Sequence, residues 1–180
     1  MPSTPGGSHR SHYGHSRQDR KDAPHQENQR IMKDLDFISV ARRIADRFGE
    51  NSVAADDKRL MIRSEQLADV VLFLRDDPEL ALDYLNSITG IDHKTHFSMV
   101  YHLTSITKGH RLTFKVDLDD RTKPNLPSVT PVWRGADLQE REIFDLLGIE
   151  FTGHPNLKRI FLWEGFPGYP LRKDWVNRDA

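Results

Sequence analysis

Three sets of side chains in this sequence could do chemistry: an acid on the apolar side of a helix, scattered histidines, and cations inside an aromatic-rich C-terminal stretch. The acid lies in "DLQEREIFDLLG", residues 137–148. A helix turning about 100° per residue puts Glu140 among Leu146, Ile143, Leu147 and Phe144, and turns Asp137, Arg141, Asp145 and Glu142 towards solvent. Two structural readings of Glu140 stand side by side. As the third residue after an Asp137 N-cap it can close a capping box, where the positive end of the helix dipole also favours it. As a buried or interfacial acid it needs a cation, and Arg159, Arg172 and Lys173 are the candidates; arginine meets a carboxylate bidentately. General acid–base catalysis would want further groups converging on a pocket. His154 is the only obvious companion downstream, and no nucleophile elbow or metal-ligand helix accompanies it, so no catalytic residue is expected on this chain alone.

The histidines invite a metal reading. His9, His12, His15 and His25 form a His-rich tract, and Asp92, His93, His96, His102 and His110 surround a predicted hairpin. His96 and His102 would share a face but stand about 20 Å apart along a strand, too far for one ion, so ordinary surface histidines are expected. Cysteine is absent from all 180 residues. Thiolates hold most iron–sulfur clusters and most structural zinc, and the glycine-rich phosphate loops "GxGxxG" and "GxxxxGK[ST]" are missing too. No cofactor is therefore expected on this chain, and redox or nucleotide chemistry belongs to partners. A net charge of -1 leaves no basic footprint for nucleic acid. The longest apolar run, "VVLFL", is far short of the roughly 20 residues that span a bilayer.

Such residues need elements to hold them. Residues 1–30 contain almost nothing that could enter a core, and their composition predicts a disordered tail. An α+β domain is expected over residues 31–148, an antiparallel sheet with helices packed on it. Ile31, Leu35, Ile38, Ala41, Ala45 and Phe48 predict a helix stopped by Gly49. "SVAA" and "RLMIR" flank a turn, and Ser64 is expected to cap a helix carrying Leu67, Val70, Val71 and Leu74. Asp77-Pro78 closes that helix and opens another short one. "FSMVYHL" and "RLTFKVDL" alternate as a half-buried antiparallel hairpin, and a proline-punctuated loop runs from Pro124 to Pro131. Residues 149–180 have no sustained period yet carry Phe151, Phe161, Trp163, Phe166, Tyr169 and Trp175. Long structureless segments in compact domains are usually functional or disordered, and disordered ones are poor in aromatics. An extended C-terminal tail laid on a partner is expected.

"EREIFDLLGIEFTGHPNLKRIFL" followed by "GYPLRKDW" closely resembles the signature region of the 30 kDa subunit, known in bacteria as the C subunit, of proton-translocating NADH:quinone oxidoreductase, respiratory complex I. The resemblance extends upstream through "LPSVTPVW", "RLTFKVDL" and "YHLTS" to "LNSITGIDH", and covers roughly residues 35–175. It implies an α+β subunit of the hydrophilic arm that holds no flavin or cluster. Its partners would be other complex I subunits, especially the large quinone-site subunit and its cluster-bearing neighbour. FMN and iron–sulfur centres would sit on partners, quinone would be the acceptor, and contact with the membrane would come only through the complex, at the cytoplasmic face of the bacterial inner membrane. Within the motif Glu140, Arg141, Glu142, Asp145, His154, Arg159, Arg172, Lys173 and Asp174 are expected to be subunit-interface or structural anchors. Two positions depart from the usual pattern: Tyr169 stands where histidine is common in "GHPLRKD", and Val176 where proline often follows the aromatic. A related membrane-bound hydrogenase or other quinone-reducing complex, or a free-standing interaction module, are the alternatives.

Overall fold

The computed structural model describes residues 32–176, so the expected tail over residues 1–30 lies outside the described residues. Asp36 rather than a residue near Ile31 starts the first helix: its carboxylate accepts from Ser39 N at 2.8 Å, the usual N-cap contact. Helix α1 then runs Phe37–Phe48 and ends at Gly49, whose φ of 92° suits glycine. Lys33–Asp34, read as helical from sequence, is instead a short strand, β1. The buried face of α1 carries Val40 and Ile44, with Ile38 exposed, so the apolar stripe is rotated from the expected one.

Strands β2 (Val53–Ala55) and β3 (Leu60–Ile62) form the expected antiparallel pair. Ser64 caps nothing; it opens a single 3-10 turn before α2 (Leu67–Asp76), which buries the four apolar residues its spacing predicts. After α2 the Asp77 carboxylate accepts from Glu79 N and Leu80 N, making a side-chain-closed turn where a short helix is expected. Strands β4 (Tyr84–Asp92), β5 (Phe97–Ser105) and β6 (His110–Leu118) follow. The sheet order is β2-β3-β6-β5-β4, with β1 also beside β6. Because β1 and β3 both run parallel to β6, the sheet is mixed rather than antiparallel throughout, and the architecture is α+β.

The expected hairpin is β5–β6, with Tyr101 opposite Phe114 and their rings stacked at 4.8 Å. Its central position buries β5 on both faces. Phe97, Met99, Tyr101 and Leu103 enter the main core with α1 and α2. On the reverse face Ser98 bonds Asp117, and Thr104 donates to Asn86 at 2.7 Å. A parallel pair, β7 (Asn125–Pro127) with β8 (Glu150–Thr152), brackets helix α3 (Ala136–Leu147). Helix α3 lies on β4 where Gly90 leaves room: a Cβ there would come within 2.6 Å of Leu147 Cδ1.

Candidate functional site

Helix α3 is the element on which the motif residues converge. It begins after Gly135 without any side-chain cap, so the Asp137–Glu140 capping box does not form. Nor does Glu140 meet an arginine. Its side chain is fully buried; Oε1 accepts from Val129 N at 2.7 Å and Oε2 from Ser128 Oγ at 2.6 Å. Glu140 therefore fastens α3 to the residues that follow β7, accepting from one buried backbone amide and one side-chain hydroxyl. Burial pushes its carboxyl up to about 7, against the Ser128 and Val129 hydrogen bonds, with the Asp137 charge adding to the rise.

Asp145, expected on the solvated side, is also fully buried, because the C-terminal segment folds back over it. Asp145 Oδ2 accepts from three consecutive amides, Ile160 N, Phe161 N and Leu162 N, at 3.0, 2.8 and 3.0 Å. Arg159 donates to its Oδ1 at 3.0 Å and to the carbonyls of Phe166 and Gly168. Successive N–H groups turned to one point make an anion cradle. Burial alone would raise the Asp145 carboxyl, but these amides and Arg159 outweigh it and hold it below the usual carboxylate range.

The remaining expected anchors line the same course. Arg141 donates to the carbonyls of Lys158 and Arg159. His154 accepts at Nδ1 from Asn156 N and turns Nε2 to Asp137 O at 3.2 Å. Arg172 donates to the carbonyl oxygens of Leu147, Gly148 and Arg121, wrapping the C-terminal end of α3, where a cation meets the negative end of the helix dipole. Lys173 contributes its backbone N–H, not its ammonium, to Asp92 Oδ2 at 2.9 Å. Asp174 accepts from Arg121 at 3.1 Å. Glu142 is exposed and takes no part in these contacts.

Sequence reasoning missed Asp92 and Arg121. Asp92 lies among the histidines of the hairpin but is itself buried, held by both Arg121 nitrogens at 2.5 and 3.2 Å. The Arg121 hydrogen bond, reinforced by Lys173 N and Lys94 N, outweighs burial and holds its carboxyl well below the usual range. Among those histidines, His93 and His96 stack on each other, His102 meets Thr113 and His110 meets the Leu80 carbonyl. Among the described residues no group of three or more His, Cys, Asp or Glu is placed to hold a metal ion.

Tyr169 completes the fastening. The guanidinium carbons of Arg159 and Arg172 lie 5.3 and 4.9 Å from its ring centre, within cation–π range. The ring also covers Gly148, which caps α3 at φ 69°. A Cβ at Gly148 would overlap the ring and would strain the left-handed backbone. Gly148→Ala is expected to cost about 2 kcal/mol, from the left-handed backbone and displacement of Tyr169 out of its cationic sandwich. Urea unfolding measures it, and a loss below the error of that method would show that the ring moves freely.

These features define a small α+β domain whose C-terminal segment is strapped back over one helix by buried ionic contacts and leaves two of its aromatics, Phe161 and Trp163, outside. Phe161, Trp163, Leu171 and Val176 are 66%, 67%, 59% and 73% exposed, and Leu138 on α3 is exposed as well. Residues 60–180 match the family described as respiratory-chain NADH dehydrogenase, 30 Kd subunit. The C subunit of the NADH-quinone oxidoreductase of Roseiflexus sp. (strain RS-1) is 46% identical over 121 residues, 66% of this chain and 69% of that protein. The C 2 subunit of the NADH-quinone oxidoreductase of Rhizobium etli (strain CIAT 652) is 40% identical over 151 residues, 82% and 80% of the two chains. Among solved structures, a chain of the membrane-bound sulfane sulfur reductase, an archaeal respiratory membrane complex, shares the fold with a TM-score of 0.62 at 20% identity, over 77% of this chain and 85% of that one. The chain belongs to the family of the 30 kDa subunit of respiratory-chain NADH dehydrogenase.

Proposed function

We propose that this chain is a non-catalytic, cofactor-free subunit of the hydrophilic arm of an NADH:quinone oxidoreductase. In that complex electrons pass from NADH through FMN and iron–sulfur centres on partner subunits to quinone, coupled to proton translocation. The observation that carries the reading is the exposure of Phe161, Trp163, Leu171 and Val176 on a segment whose backbone amides at residues 160–162 are spent on anchoring it. Aromatics presented rigidly lose little entropy on binding and are typical interface anchors. The large quinone-site subunit and its cluster-bearing neighbour are the proposed partners. Among the described residues no helix is long and apolar enough to cross a membrane, in keeping with peripheral attachment through the complex at the cytoplasmic face of the bacterial inner membrane.

The test is affinity purification of the tagged full chain from native membranes. Membrane and cluster-bearing subunits of an NADH-oxidising complex are expected to come with it, and flavin and iron to track those partners. Phe161→Ala/Trp163→Ala, at about 2 kcal/mol or more per central aromatic, should reduce the co-purified subunits at least tenfold while the chain's own unfolding stays unchanged. Recovery of the chain alone, or with subunits of a hydrogenase, overturns the assignment to an NADH-oxidising complex.

A further inference from the structure

Glu140 has a feature that anchoring does not explain: it is a fully buried acid with no cation. Among the described residues no lysine or arginine lies within ion-pair distance of it. The groups facing it are Asp137 on its own helix, His154 from the segment after β8, Tyr101 from β5, and Ser128 with Thr130 from the loop after β7. His154 Nε2 stands between Asp137 Oδ1 at 3.5 Å and Glu140 Oε2 at 4.0 Å. Its Nδ1 accepts from Asn156 N, which leaves Nε2 as the ring nitrogen that faces the two acids. Two buried oxygens, Tyr101 Oη and Asp137 Oδ1, have no hydrogen-bond partner, which is rare for buried polar atoms.

The hydroxyl contacts suit either charge state. With the carboxylate ionised, Ser128 donates to Glu140 Oε2 and accepts from Thr130 Oγ1, 2.7 Å away, and from Thr130 N. With the carboxyl protonated, the same contacts work in reverse: the acid O–H donates to Ser128 Oγ, and Ser128 donates to Thr130 Oγ1. A hydroxyl has one hydrogen and two lone pairs, so Ser128 is fully partnered in both patterns. Asp137 gives the way in, since its side chain is 45% exposed while Oδ1 points inward.

We propose that Glu140 is a proton-binding site of the folded chain, exchanging one proton with solvent past Asp137 and His154 while the Ser128–Thr130 hydroxyl pair reverses its hydrogen-bond direction. The carboxylate gains the proton from solvent and becomes a neutral acid; on release the proton returns by the same row. The site joins α3, the loop after β7 and the start of the strapped segment, so its charge state sets how tightly these three are held. This proposal does not depend on which complex the chain enters.

Infrared difference spectra of the full chain labelled with 13C-glutamate, taken from pH 5 to 9, test it. A protonated buried carboxyl stretch is expected that disappears with a midpoint near 7 and is missing from Glu140→Gln. Ser128→Ala, which removes a hydrogen bond favouring the charged form, should move that midpoint upward and keeps the test valid if Glu140→Gln does not fold. A carboxylate ionised throughout this range, or a midpoint that ignores Ser128→Ala, overturns the proposal.

Discussion

Asp145→Asn is expected to detach residues 159–173 from α3 and to cost about 3–5 kcal/mol, the usual consequence of removing one partner of a buried ion pair. Asparagine keeps the shape but has only one acceptor oxygen. Turned towards the amides of residues 160–162, it sets an NH2 group against the Arg159 guanidinium; turned the other way, it sets that NH2 against three N–H groups. Either way a buried donor is orphaned, and such groups cost their full desolvation. The sheet does not share these contacts. Limited proteolysis should therefore cut the C-terminal segment early while β5 and β6 stay protected. Arg159→Gln should be milder, because Arg159 is 22% exposed and the amides remain on Asp145. The two losses should fail to add in the double variant, since both act on one network. Full protection of the segment in Asp145→Asn would show that Arg172 and the Asp92–Arg121 clamp hold it unaided.

Side chains with a period were legible in the sequence, and contacts without one were not. The apolar residues of α2 and the alternation of β5 and β6 point where they do because a core accepts one face of each. Strand β4 escaped: Asn86, Ser87, Thr89 and Gly90 dilute its pattern, and Gly90 is there for the close approach of α3. Asp145 falls on the solvated side of a helical wheel, which knows nothing of a segment returning from residues 159–162. Its partners are chiefly backbone amides, which every residue but proline has. For the same reason the contacts of the polar residues after residue 149 could not be read from the motif: Arg172 meets carbonyls rather than Glu140, and Lys173 acts through its main chain. The aromatics in this stretch suggested a surface to lie on, and α3 supplies part of it.

The oddity of an acid among apolar residues leads to a dependence of stability on pH whose sign distinguishes the structure from an ion pair. Burial moves the Glu140 carboxyl from 4.5 in the unfolded chain to about 7 in the folded one. Between those values the folded state binds more protons, so the stability this group contributes is complete below pH 4.5 and is lost as pH rises through 7. The shift corresponds to about 3 kcal/mol. Asp92 and Asp145 have lowered values and act oppositely: their contribution is present above the unfolded carboxylate range and is lost in acid. Together these place the maximum of stability near pH 5, with a decline from there to about pH 7 that levels off above it. Glu140→Gln resembles the protonated acid, because its oxygen can accept from Val129 N and its NH2 can donate to Ser128, which then turns to Thr130. The variant should match the wild-type chain within about 1 kcal/mol at pH 5 and exceed it at pH 9, with the decline between pH 5 and 7 flattened. Urea unfolding at a series of pH values measures both curves. A Glu140→Gln chain weaker by 3–5 kcal/mol at every pH above 5 would mean that the carboxylate has a cationic partner after all.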